Sequence, residues 1–227
     1  MQCGKSALCK DKSLDLHVLA VDGTTFRSQD TPENREAFGF ISQTHQVYPQ
    51  LRMVALNSTH SRMLLGAAFD RCDVGEITLA KRLLIDIPDD SLTLFDRCYF
   101  SADLLLYWQQ FGVNSHWLTP VKQGMRYEVI EHFSENDLLI EMPVSPQFRA
   151  NNPNQPDVWQ ARMICYQHPK GDIKGFITSL TDPETSPMET LLSIYWERWE
   201  IEQGFGELES SQLNNEITLR SRFPQGG

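Results

Sequence analysis

The 227-residue sequence lacks most of what would suit a membrane span, a disulfide scaffold or a broad nucleic-acid surface. No apolar run approaches the ~18 residues that a spanning helix needs. The opening residues Met1-Gln2-Cys3-Gly4-Lys5 lack the continuous apolar stretch of a secretory signal, so a cytoplasmic location is expected by default. Cysteines are few and scattered (Cys3, Cys9, Cys72, Cys98 and Cys165), with no Cys-x2-Cys pair, which excludes a disulfide framework and a zinc finger and leaves reduced thiols. The histidines (His17, His45, His60, His116, His132 and His168) are equally dispersed and read as structural residues. Basic residues are in deficit: Lys and Arg total 20 against 30 Asp and Glu, a formal charge of −10. Such a balance opposes general nucleic-acid binding, which draws affinity from displaced counterions. The deficit is sharpest after Gly175. There Asp182, Glu184, Glu189, Glu197, Glu200, Glu202, Glu207, Glu209 and Glu216 face only Arg198, Arg220 and Arg222. Phosphate contacts, if any, must come from elsewhere, and Arg52, Lys81, Arg97, Lys122 and Arg126 are the candidates.

What is present is a pattern of alternating strands and helices. Residues 1–14 read as a polar leader, and Leu16 to Val21 as a buried strand that ends at the turn pair Asp22-Gly23. Arg27 to His45 is rich in polar and turn residues. Tyr48 to Leu56 and Ser61 to Phe69 read as two strands joined by the turn Asn57-Ser58-Thr59-His60, and Asp73 to Ile85 as a helix with Ile77, Leu79, Leu83 and Leu84 on its apolar face. Ser91 to Phe95 is a short strand running into Asp96. Ser101 is placed to cap a helix over Ala102 to Gln110, and His116 to Leu118 forms another strand. Short alternating runs at Leu138–Met142, Ala161–Tyr166 and Phe176–Leu180 mark 121–187 as a mostly β insertion, and a last helix runs from Met188 to about Gln212. The tail, 214–227, has no convincing element. Strand, strand, strand, helix, strand, helix is the order of an α/β, ribonuclease H-like core, here divided into 15–120 and 188–213 by the insertion.

Chemistry gathers on three carboxylates. Asp22 ends the first strand, Asp96 the fourth, and Glu202 lies on the last helix; in this fold those positions converge on one edge of the sheet. Two-metal phosphoryl transfer needs such carboxylates to hold hard cations about 4 Å apart. On the last helix Tyr195, Arg198 and Glu202 share a face at steps of three and four, so that a phenol and a guanidinium could grip phosphate beside a metal-ligating carboxylate. The plain structural alternative is a turn pair at Asp22-Gly23, a strand boundary at Asp96 and a solvated acidic helix around Glu202.

Four blocks carry a resemblance to a known family. Leu19 to Asn34 resembles the first catalytic-aspartate block, Tyr48 to Met53 the second strand, Leu92 to Ser101 the second aspartate block and Tyr195 to Leu208 the glutamate block of the DDE transposases of bacterial insertion sequences, in the branch with a Tyr-x2-Arg-x3-Glu-x6-Lys signature (insertion-sequence family four). The resemblance spans roughly residues 15 to 222. It implies a ribonuclease H-like core with a β insertion, two Mg2+ or Mn2+ ions on Asp22, Asp96 and Glu202, and phosphate contacts from Tyr195 and Arg198. It also implies cutting and joining of double-stranded DNA bearing terminal inverted repeats, and it allows a homodimer on DNA, with no membrane. The chain departs from the signature at Glu209, where the family has Lys, and at Cys98, where the aspartate block usually has Gly. It resembles a truncated catalytic core, because the family's flanking N-terminal DNA-binding and C-terminal helical parts are not recognisable. Two further readings are an inactive remnant that binds DNA or a transposase partner without catalysis, and a glycoside hydrolase with paired carboxylates.

Overall fold

A computed structural model describes residues 8–39, 48–153, 155–167, 173–196 and 218–219. β1 (His17–Ser28), β2 (Gln50–Ser58) and β3 (Leu64–Arg71) form an antiparallel meander. β1 does not end at Asp22-Gly23 as the sequence suggested. It continues through Ser28 because Gly23 to Arg27 stay paired with Val54 to Gln50, and the β-forming Thr24, Thr25 and Phe26 suit that ladder. Between β1 and β2 lies α1 (Pro32–Phe38), in a stretch expected to be irregular; Thr31 caps it by accepting from the Asn34 amide, with Pro32 in the first turn.

After β3 come α2 (Glu76–Arg82), a 3-10 turn (Leu84–Asp86) and β4 (Ser91–Leu94). α3 (Ala102–Phe111) buries Leu104, Leu105, Leu106 and Trp108 as expected, although the Ser101 side chain makes no capping hydrogen bond. β5 (Ser115–Pro120) follows. β4 is parallel to β1, and β5 parallel to β4. The order β3-β2-β1-β4-β5, with only β2 antiparallel to its neighbours, is the ribonuclease H-like arrangement.

β6 (Glu128–Ser134), β7 (Asp137–Pro143), α4 (Pro146–Asn151), β8 (Val158–Gln167) and β9 (Ile173–Thr178) come next. β9 pairs antiparallel with β5, and the sheet runs on through β8 and β7 to β6, so these strands, expected from sequence as an insertion, continue the same sheet. Residues 188–196 are helical (α5). β10 (Thr218–Leu219), in the tail where no element was expected, pairs parallel with β1 at Arg27 and Ser28.

Both faces of the sheet are covered. One core joins Leu19, Val21, Leu56 and Phe95 to α2 and α3 through Leu79, Leu83, Leu104 and Trp108. The other joins Leu92, Leu94, Leu118 and Phe176 to α5 through Leu191, Ile194 and Tyr195. Strand alternation therefore assigns odd positions of β1 to the α2/α3 face and even positions to the α5 face.

Candidate active site

Register places the two aspartates. In the parallel β1/β4 pair the last partners are Ala20 and Leu94; Asp22 lies two residues further on within β1, and Asp96 two residues further on at the start of the turn that follows β4. Both are exposed. By alternation Asp22 follows Ala20 onto the face covered by α5, whereas Asp96, past the end of β4, caps the next turn close to Cys98. The end of β4 is held firmly. Phe95 is fully buried, its ring edge-on to Trp108 at 4.8 Å and 5.8 Å from Tyr99, and its amide donates to the Leu118 carbonyl (2.9 Å). Trp108 in turn donates to Thr93 (2.9 Å). The Asp96 carbonyl accepts from the Tyr99 amide (3.1 Å), closing a 3-10 turn over Arg97–Tyr99. Cys98 sits within this turn without a positive φ, so the position that is Gly in the resembling family needs no glycine here.

Sequence reasoning missed Glu76. Its carboxylate, from the first turn of α2, reaches β1 at Gly23, where a Cβ atom would lie 2.9 Å from Glu76 Cδ and 2.9 Å from the Tyr99 hydroxyl. Cys98 Sγ donates to Glu76 Oε2 at 3.6 Å, and Arg52 Nε stands 3.9 Å from Oε1. The negative field of this corner is visible in its neighbours. Although Cys98 touches solvent, desolvation by the surrounding protein, then repulsion by Asp96 and Glu76, push its thiol up to about 12. Burial, followed by the charges of Glu76 and Asp22, raises Tyr99 far above its ordinary value. The only sequence signal for Glu76 is its place in the first turn of a helix, which many glutamates share.

The last-helix residues divide. Tyr195 is 8% exposed and its ring packs on Phe176 at a centroid distance of 4.2 Å, so the aromatic body anticipated as a DNA contact is part of the core beneath α5. Arg198 and Glu202, and the departure at Glu209, lie outside the described residues. Among the described residues no three His, Cys, Asp or Glu side chains converge closely enough to hold a metal ion. Of the phosphate candidates, Arg52 is engaged by the Val74 carbonyl (2.7 Å) and stands loosely beside Glu76, and Lys81 is engaged by Asp103. Arg97, Lys122 and Arg126 are exposed and form no ion pair among the described residues. Arg97 and Lys122 follow the ends of β4 and β5, on the edge that carries Asp96.

Residues 14–225 match the transposase DDE domain family. The chain belongs to that family. It is 36% identical over 214 residues to the transposase InsG for insertion sequence element IS4 of Escherichia coli (strain K12), covering 92% of this chain and 48% of that protein. It is 40% identical over 131 residues to the putative transposase InsZ of the same strain, covering 56% of this chain and 44% of that protein. The chain thus spans about half the length of the curated relatives it matches. Among solved structures, a piggyBac transposase synaptic complex with hairpin DNA aligns with 91% of this chain and 42% of that one, at a TM-score of 0.47 and 10% identity. No helix among the described residues is long and apolar enough to cross a membrane.

Proposed function

We propose that this chain is the catalytic core of a DNA transposition enzyme that cleaves and joins transposon ends. The observation that carries this reading is that Asp22 and Asp96 each follow by two residues the last registered pair of the parallel strands β1 and β4, within a chain of the DDE family. Residues 15–120 and 188–213 make up the core in this reading, with 121–187 as its β insertion and 1–14 and 214–227 as flanking segments. The donor set suits a hard divalent cation: two exposed carboxylates follow neighbouring parallel strands, near a buried Tyr99 hydroxyl that has no hydrogen-bond partner of sound geometry among the described residues. Asp22, Asp96 and Glu202 would hold two Mg2+ or Mn2+ ions, whose chemistry is to activate the attacking oxygen and stabilise the leaving one. Arg198, and Tyr195 to the extent that its hydroxyl reaches the surface, would contact the phosphate of double-stranded DNA near a terminal inverted repeat, and a homodimer on DNA is compatible with this arrangement.

The test is metal-linked stability followed by chemistry. Mn2+ at about a hundredfold excess over its Kd should raise the thermal midpoint by about 5 °C or more, because ligand binding to the folded state alone is worth about 2.7 kcal/mol there. Asp22→Asn and Asp96→Asn should each remove that shift. An unchanged shift in both variants would put the metal elsewhere. Cleavage of a duplex carrying the matched terminal repeat then separates an active core from a remnant that folds and binds without reacting.

A further inference from the structure

Gly23 follows Asp22 directly on β1 and is the point at which Glu76 of α2 and Tyr99 approach that strand. Its alternation assigns it to the α2 side, opposite to Asp22, and its missing side chain leaves a gap that Glu76 and Tyr99 enter. A Cβ there would stand 3.0 Å from Glu76 Oε2. An ordinary structural role for Glu76 would be to neutralise Arg52. The geometry does not support a committed pair: Arg52 gives its Nη1 to the Val74 carbonyl, its Nε has no hydrogen-bond partner among the described residues, and the 3.9 Å separation from Oε1 is beyond hydrogen-bond range. Among the described residues the hydrogen bond that Oε2 accepts with sound geometry comes from a weak thiol donor, Cys98 at 3.6 Å. Beside it the Tyr99 hydroxyl, on a residue 1% exposed, has no hydrogen-bond partner of sound geometry among the described residues, although Glu76 is near enough to perturb it. A buried donor and an under-served carboxylate facing one gap are both satisfied by a water molecule between them.

Building on the metal-dependent reading above, we propose that Glu76 is a further carboxylate of the active site, which together with the Tyr99 hydroxyl holds a water bound to the cation on Asp22 and Asp96. Glu76 acts through that water, as a positioning residue. Partners that orient a metal's ligands commonly change its affinity by about 10–100-fold when removed.

The experiment is a Mn2+ titration of the 227-residue chain, with free Mn2+ read by electron paramagnetic resonance, on the parent, Asp22→Asn, Glu76→Gln and Tyr99→Phe. Glu76→Gln should weaken Mn2+ binding by about 10-fold or more, and Tyr99→Phe should weaken it in the same direction by a smaller factor. If Asp22→Asn loses Mn2+ while Glu76→Gln stays within about twofold of the parent, Glu76 is no more than a neighbour of Arg52, and the metal reading survives without it. If the parent binds no Mn2+, both readings fall together. Should Glu76→Gln lose its folded circular-dichroism spectrum, Glu76→Asp keeps the charge on a shorter arm; weakened Mn2+ binding in that folded variant supports the proposal, and unchanged affinity overturns it.

Discussion

His116 shows how one residue ties stability to pH. Its ring lies between Ser179 (3.2 Å) and Asn114 (2.9 Å), and burial lowers its pKa below 6.5. The unfolded chain therefore takes up a proton at a higher pH than the folded one. The stability this neutral ring contributes is complete above the unfolded value near 6.5 and is lost as the pH falls from there towards the folded value. Replacing His116 with Gln should flatten the dependence of the thermal midpoint between pH 7 and pH 5. An equally steep slope in the variant would show that other groups carry it. At this scale the sequence was only partly legible. Asp22 and Asp96 stand out because each follows a strongly apolar strand, whereas Glu76 reaches Gly23 through a space set by tertiary packing and marked by no local pattern. Tyr195 was legible as a residue of the last helix but not as a buried one, since a phenol suits a core and a phosphate site equally well.

At the scale of elements, the approach of α5 to the sheet depends on one buried ion pair. Arg162 on β8 is fully buried and grips Asp137 on β7 with a 2.6 Å contact from Nε, while its Nη1 donates to the Ser186 carbonyl at 2.6 Å, just before α5 begins. Removing one partner strands the other charge, a loss that commonly costs about 3–5 kcal/mol. Asp137→Asn should therefore lower the unfolding free energy by about 3 kcal/mol in urea titrations and speed amide exchange over residues 188–196. A change below about 1 kcal/mol would mean that backbone contacts alone seat the helix. Elements with alternating or helical apolar patterns, such as β2, β7, β8 and α3, could be read from sequence. β6 could not, because six of its seven residues are exposed and it is placed by pairing with β7. The far half of β1 was missed for the same reason: Asp22-Gly23 has turn chemistry, and only the ladder to β2 overrides it. α1 did carry a signal, Thr31-Pro32-Glu33, of a capped first turn.

Over the whole molecule the charge is unfavourable for DNA, and the way it is distributed decides where a duplex could approach. The net charge of −10 repels a polyanion at long range. Arg97, Lys122 and Arg126 nevertheless stand unpaired among the described residues, Arg97 and Lys122 just past the ends of β4 and β5 on the edge that holds Asp96. Lys10 provides the comparison. It pairs with Asp90 (3.0 Å) and Asp15 (3.6 Å), next to the opposite ends of β1 and β4. Lys122→Ala and Lys10→Ala each remove one lysine and change the net charge equally, so a difference between them reports position. If the duplex lies across the Asp22/Asp96 edge, Lys122→Ala should weaken binding to a terminal-repeat duplex at low salt and lower the slope of log K against log salt by about 0.9, the value for one lost phosphate contact. Lys10→Ala should leave that slope unchanged. Equal effects from the two substitutions would show that only net charge matters, and that the acidic edge is not where DNA is held.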